Sequence, residues 1–319
     1  MPCGCSIIRY HFVRDLPNTR WPRLKGLLIS QFVKQLEFLN RRYAFVTMQD
    51  CLAAIYSGAE LPKDALLLTF DDGYIDHFAS AFPILKKKKI QGSFFPCVKA
   101  ILEGRILNIN KLHLIVGAAR DIDDVVKDTH ALLEEYRSTY GLKSNEYYTF
   151  KCAKKDRFDS PKINFIKNLL HKELSQNVSE LILNRLFAKF VTEDEDSLSS
   201  ELYMNIKQIK IMVQQGMYIG GHGYGHRSLA GLSQEQQKEE VDATLDFLKK
   251  IGAPVDTWVM TYPFGDYNDS LIDTLKARRC KAAFTVKKGV SYLTRDNAFT
   301  LKRFDANDFF PVKRIWMYK

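Results

Sequence analysis

Two adjacent carboxylates, Asp71 and Asp72, end the apolar run Leu66-Leu67-Leu68-Thr69-Phe70 and are followed by Gly73. Like charges side by side repel, and desolvation raises their pKa values unless a cation or hydrogen-bond donors compensate. Such a pair can serve as a metal ligand beside a general base. It can equally be a solvated turn or a helix N-cap, a position that suits Asp. A second cluster, Gly220-Gly221-His222-Gly223-Tyr224-Gly225-His226, sets two imidazoles four residues apart. On a helix that spacing puts both on one face. In a loop, glycines that accept unusual backbone angles let the chain fold back on one point. Two neutral imidazoles plus a carboxylate make a hydrolytic metal site with positions left for water and substrate. Two surface histidines in a flexible loop is the plainer alternative, and the presence of Asp71-Asp72 favours the metal. The glycine spacing is not a dinucleotide fingerprint.

These residues need elements that bring them together. A continuous apolar run before Asp71 suits a strand buried on both faces, as in a parallel sheet. Ser6 to Tyr10 reads as a first strand ending in His11. A helix is expected over 31–41, with Ser30 as its N-cap, then a short strand over 43–46 and a helix over 48–56 closed by Gly58. Asp76 to Leu85 reads as helix and Gly92 to Phe95 as strand. This alternation argues for βα units around a parallel sheet. From about 100 to 205 the pattern turns helical, with amphipathic helices over 122–140, 163–174 and 178–190. The strand–helix alternation then resumes: strands near 217–219, 257–260 and 282–286, helices over 206–215, 234–251 and 271–278. Asp71, Asp72, His222, His226, Pro263, Phe264 and Arg303 all follow expected strands. In a β/α barrel such strand ends converge on one face, where active sites are built.

The whole chain, 1–319, is therefore read as one catalytic domain. Its scaffold covers 6–100 and 205–310, and 100–205 is a helical insertion at a βα junction that shapes a substrate pocket or lid. The net charge is +10 over 319 residues. Lys86-Lys87-Lys88-Lys89 is the dense basic run, and a helix C-terminus accounts for it. No nucleic-acid-binding motif accompanies it, so no nucleic-acid partner is expected. A basic surface suits a phosphate-bearing small substrate or an anionic membrane surface. No apolar run is long enough to span a bilayer. The opening residues lack the basic and apolar regions of a signal peptide, so a cytoplasmic chain with reduced cysteines is expected. Cys3 and Cys5 lack the spacing of a zinc or redox motif. Glu193-Asp194-Glu195-Asp196 reads as a solvated loop or helix start.

Thr69-Phe70-Asp71-Asp72-Gly73, His222-x-x-x-His226 and Tyr262-Pro263-Phe264-Gly265 together resemble the polysaccharide deacetylases of the NodB-homology type, carbohydrate esterase family 4. Tyr10-His11 and Ala283-Phe284-Thr285-Val286 are similar to the subgroup with a Tyr-Pro-Phe-Gly third motif. The resemblance covers about 6–100 and 205–310. It implies a distorted β/α barrel that uses a divalent metal to remove acyl groups from sugars. It implies Asp71 as catalytic base, Asp72, His222 and His226 as metal ligands, and the Phe264 backbone N–H as oxyanion donor. Zinc is the expected metal, with cobalt or nickel possible.

Three positions depart from the family pattern. Gly223 replaces the usual hydroxyl residue. Thr261 stands where an arginine usually orients the base. Leu301-Lys302-Arg303 replaces the leucine-x-histidine that supplies the general acid. Arg303 can orient Asp71, but an arginine does not give up its proton. His11 is the spare titratable group, or else a satisfied buried histidine. The function implied is removal of an N-acyl group, N-acetyl first, from an intracellular intermediate of surface-polysaccharide synthesis, nucleotide- or lipid-linked. A deformylase on a formamido sugar is a close variant. A non-catalytic carbohydrate-binding protein is the alternative from another class. The oligomeric state is not specified.

Overall fold

The structure is a computed structural model, and it describes residues 4–155 and 159–309. Cys3 lies outside the described residues. The strands, in chain order, are β1 (Gly4–Tyr10), β2 (Ala44–Phe45), β3 (Ala65–Asp72), β4 (Gly92–Pro96), β5 (Tyr218–Ile219), β6 (Val259–Thr261), β7 (Ala282–Phe284), β8 (Ser291–Tyr292) and β9 (Phe304–Asp305). β3 is buried at every position, as suits a run in which Thr69 is the one polar residue before the two acids.

Parallel pairing runs β1–β3–β4–β5, with β2 also on β3 and β9 also on β1. β6 and β7 form a parallel pair of their own. Single parallel bridges join Gly221 to Met260 and Phe284 to Leu301. Hydrogen-bonded contact thus passes from β5 to β6, through β7 to the segment that carries β9, and back to β1. This is an α/β fold of the distorted β/α barrel type, its ring held in places by strands of two or three residues.

The chain divides into two compact units. Among the described residues, one comprises 4–15, 26–105 and 199–309 and contains all the strands above. Its core is apolar and fully buried: Ile7, Ile8, Leu66, Leu67, Leu68, Phe94, Val259 and Ala283 line the strands. The helices Ile29–Asn40, with Phe32, Leu36 and Leu39 inward, Met48–Ser57 and Gln234–Ile251 bury one apolar stripe each. Ser233 caps the last of these, accepting from the Gln236 N–H, and left-handed Gly252 ends it. The other comprises 16–25, 106–155 and 159–198 and is built from helices, among them Asn108–Ala118, Ile122–Tyr140, Pro161–Asn168 and Gln176–Phe190. Within it the buried Lys111 ammonium lies 2.8 Å from Glu195 and 2.8 Å from Asn184.

Some expectations need correction. Ser30 does not cap the first helix. That helix starts at Ile29, and Gln31 reaches back to accept from the Leu28 N–H at 3.2 Å. The expected helix over 163–174 is two pieces, Pro161–Asn168 and a π-turn over Leu169–Glu173. Residues 16–25 belong with the helical unit, which sequence periodicity gave no reason to expect. Of its two expected forms the acidic run takes the helix start, since a helix begins at Glu195, which also accepts from the Ile106 N–H at 2.8 Å. Cys5, Cys51, Cys97, Cys152 and Cys280 are buried free thiols.

Candidate active site

β3 ends in Asp71 and Asp72, and the two side chains diverge. Asp71 meets Arg303. Nη1 lies 2.9 Å from Oδ1 and Nη2 lies 2.8 Å from Oδ2, with the pair 1% and 3% exposed. The same guanidinium donates from Nε to the Thr285 carbonyl at 3.0 Å and from Nη1 to Thr69 Oγ1 at 3.2 Å. Burial alone would push Asp71 upward. The Arg303 charge, helped by His222 and His11, outweighs it and holds the carboxyl at about 2.

Asp72 turns the other way, toward the histidine loop. Its Oδ1 lies 3.3 Å from His222 Nε2 and 3.5 Å from His226 Nε2. One ligand atom from each of the three residues falls within a 4.8 Å cluster. Burial pushes the Asp72 carboxyl up, but the close approach of His222, helped by His226, brings it well below the usual range. Burial lowers His226 to about 4, so this imidazole is neutral at ordinary pH. Burial also pulls His222 down, but the closeness of Asp72, the Asp71 charge and the Thr261 backbone raise it overall.

Backbone geometry aims these groups. Asp72, His226 and Phe264 all have positive φ, at 75°, 52° and 58°. Non-glycine residues rarely adopt that region, and strain of this kind collects at functional sites. Gly73 follows at φ 79°, and a Cβ there would stand 2.7 Å from Pro96 Cβ. The glycines of the histidine loop serve different ends from the one expected. Gly223 alone among Gly220, Gly221, Gly223 and Gly225 has positive φ. Gly220 and Gly221 are there for space: a Cβ would lie 2.4 Å from Phe95 Cε1 in the first and 2.7 Å from Thr244 Cγ2 in the second.

The loop is clamped from two sides. Glu240, on the helix Gln234–Ile251, accepts from the Tyr224 and Gly225 N–H groups at 2.7 and 3.1 Å, both through Oε2. From the other side the Val98 and Lys99 N–H groups donate to the Gly223 and Tyr224 carbonyls at 3.3 and 2.9 Å. Thr261 fixes His222. Its carbonyl oxygen and Oγ1 lie 2.8 and 2.5 Å from Nδ1. A carbonyl only accepts, so Nδ1 carries a proton, and in the neutral imidazole the Nε2 lone pair faces Asp72.

That arrangement is the test of whether a cation fits. Asp72 Oδ1 is buried with no hydrogen-bond partner. In the neutral tautomer it faces acceptors, and buried acceptors left unmatched are costly. A divalent cation resolves the clash, and the two imidazoles and carboxylate are a donor set that suits zinc-like metals.

The remaining expected residues stand nearby or at the rim. The Phe264 ring is 40% exposed and lies 4.8 Å from the His226 ring. His11 is exposed, not buried, and its carbonyl accepts from His77 Nε2 at 2.9 Å. Its charge is felt at Asp71 and Asp72. Sequence reasoning missed Tyr74, whose hydroxyl donates to Asp72 Oδ2 at 2.6 Å, and Glu240. Tyr74 adjoins the acidic pair and was open to suspicion on that ground. Nothing in the local sequence marks Glu240.

The polysaccharide deacetylase family model matches residues 58–131 and 190–283, more than half of the chain and including Asp71, Asp72, His222, His226 and Phe264. The chain belongs to the polysaccharide deacetylase family. The curated Bacillus subtilis protein YxkH is 26% identical over 101 residues, which cover 31% of this chain and 34% of that relative, so the match spans about a third of its length. Among solved structures, the deacetylase PplD of Streptococcus pyogenes in complex with acetate shares the fold at TM-score 0.56 and 18% identity, covering 96% of this chain and 93% of that one. IcaB from Ammonifex degensii is similar at TM-score 0.55 and 18% identity, over 96% of this chain and 93% of its own.

Proposed function

We propose that this polysaccharide deacetylase family member is a metal-dependent hydrolase that removes an N-acyl group, N-acetyl first, from an amino sugar. The observation that carries the reading is the pairing of two differently held acids. Asp72 Oδ1 is buried and unpartnered against two Nε2 atoms, while neighbouring Asp71 is kept ionised by Arg303.

Asp72, His222 and His226 would hold the cation, with zinc favoured by the mixed nitrogen and oxygen set. When bound, the cation would supply Lewis-acid polarisation of the acyl carbonyl and acidify water. Asp71 takes the proton of the attacking water as the new C–O bond forms. Arg303 returns Asp71 to its ionised form between turnovers by favouring the charged state. The Phe264 backbone N–H donates to the tetrahedral oxyanion. When the C–N bond breaks, the leaving amine needs a proton, which Asp71 has just acquired; His11 is a second source. The products are the free amine and a carboxylate.

The +10 charge supports a phosphate-bearing substrate, such as a nucleotide- or lipid-linked sugar met inside the cell during surface-polysaccharide synthesis. The helical unit is read as an insertion in one catalytic domain, because the strand-bearing segments flank it in sequence. The test is metal content and acetate release from N-acetylated sugars before and after chelation and zinc reloading. Zinc-dependent release that disappears in a His222→Ala/His226→Ala double variant is the expected result. Full metal content in that double variant, or unchanged release after complete chelation, would overturn the reading.

A further inference from the structure

The two oxygens of Asp72 keep different company. Oδ1 faces His222 and His226. Oδ2 accepts the Tyr74 hydroxyl at 2.6 Å, the short range of a charge-assisted O–H···O⁻ bond. Tyr74 is 1% exposed. Its ring stacks on Phe12 with centroids 3.8 Å apart, and it faces Tyr203 at 6.0 Å and 11°. A backbone bridge joins Tyr74 to Tyr203, and the Met204 N–H donates to the Gly73 carbonyl at 3.0 Å. The phenol is therefore fixed at ring and backbone, and its hydroxyl has a defined direction.

We propose that Tyr74 is a positioning residue that sets how Asp72 grips the metal: by holding Oδ2, it confines the carboxylate to one-oxygen ligation through Oδ1. The proposal rests on the metal reading above. A carboxylate can bind a cation through one oxygen or both. A two-oxygen grip would take up a position that water or the acyl oxygen needs, and catalytic sites keep such positions open. Outer-shell partners of ligands typically matter by roughly 10–100-fold in metal affinity or activity. Asp72 is also at φ 75°, so its backbone cannot easily re-aim the carboxylate if the hydroxyl is lost. The released Oδ2 can instead rotate toward the cation.

Tyr74→Phe removes the hydroxyl and keeps the stacked ring. The wild type and this variant are loaded with cobalt(II) for visible absorption and with zinc for X-ray absorption fine structure. Melting of both metal-free proteins reports the fold. The expected result is a higher coordination number in Tyr74→Phe, read as a weaker visible cobalt band and an added light scatterer around zinc. A fall of about 10–100-fold in deacetylation should accompany it. Unchanged cobalt and zinc spectra in a folded Tyr74→Phe protein overturn the proposal and leave the metal reading intact. Failure of the wild type to bind either ion removes the metal reading and this inference together. If Tyr74→Phe does not fold, Tyr203→Leu and Phe12→Leu, which remove the rings that hold Tyr74 in place, carry the same spectral test in milder form; spectra like the wild type from both overturn it.

Discussion

Arg303 and Asp71 meet through two parallel contacts of 2.9 and 2.8 Å although they lie 232 residues apart in the chain. The pair is almost fully buried, and the Asp71 charge depends on the Arg303 guanidinium. Removing the guanidinium leaves a buried carboxylate without its counter-charge. Arg303→Ala should therefore destabilise the protein by about 3–5 kcal/mol in urea unfolding. Arg303→Lys should recover part of the loss, since it restores charge but not the two-point grip.

The same pair sets a pH dependence. Asp71 acts as base only when ionised, and with Arg303 in place its carboxyl sits at about 2. Without Arg303 the desolvation that raises it is unopposed by its main counter-charge. The acidic limb of kcat/KM, assigned to the base, should then move to higher pH in Arg303→Ala. The check is a pH–rate profile with metal content measured at each point. A limb that stays in place while metal content is constant would show that another group sets it.

Asp71→Asn keeps the shape of the side chain and removes its basicity. Loss of a positioned base costs on the order of 10²–10⁴ in rate. The variant should lose that much turnover while holding metal as tightly as the wild type, because Asp71 faces Arg303 and not the His222–His226 side. Loss of metal from folded Asp71→Asn would recast it as a ligand.

Glu240 predicts an effect on metal binding from a residue that faces no ligand atom. Its Oε2 satisfies two N–H groups of the loop between His222 and His226. Glu240→Ala should leave both without a partner, at about 1–3 kcal/mol each if they stay buried. Zinc affinity should fall by about 10–100-fold. Glu240→Gln, which retains one carbonyl acceptor, should restore most of it. Isothermal titration of the three proteins makes the comparison.

Gly220→Ala tests the crowding at the end of β5. The added methyl would meet Phe95 at 2.4 Å and the Val259 carbonyl oxygen at 2.6 Å. Backbone on one side cannot give way cheaply. Unfolding of the metal-free protein should show a loss of about 1–3 kcal/mol, the usual cost of overpacking.

Much of this was open to a reader of the sequence, for identifiable reasons. Leu66 to Phe70 has only Thr69 as a polar residue before Asp71, so a doubly buried strand was readable from the run itself. The helices over 122–140 and 234–251 carry their own start and stop residues, Asp121 and Gly141 in one, Ser233 and Gly252 in the other. The need of Asp71 for a cation pointed to Arg303 once Thr261 was seen to be uncharged. Other features leave no such trace. A π-turn such as His77–Ala81 preserves the apolar spacing of a helix and hides within it. Gly220 and Gly221 look like flexibility in the sequence, whereas packing against Phe95 and Thr244 explains them. Glu240 reads as one more surface acid on an amphipathic helix, because its partners are backbone groups, which have no sequence signature.

Ring closure also has a consequence during synthesis. β1 pairs with β3 along one edge, while its other edge waits for β8 and β9. Until the ribosome has released Phe304, that edge offers unpaired N–H and C=O groups to any passing strand. Over the same interval Asp71 has no counter-ion. Contacts this distant in sequence form slowly, and partly assembled chains with bare strand edges are prone to aggregate. Chains terminated before Arg303 should accumulate in inclusion bodies, and the full-length protein should depend more on chaperones late in translation than early.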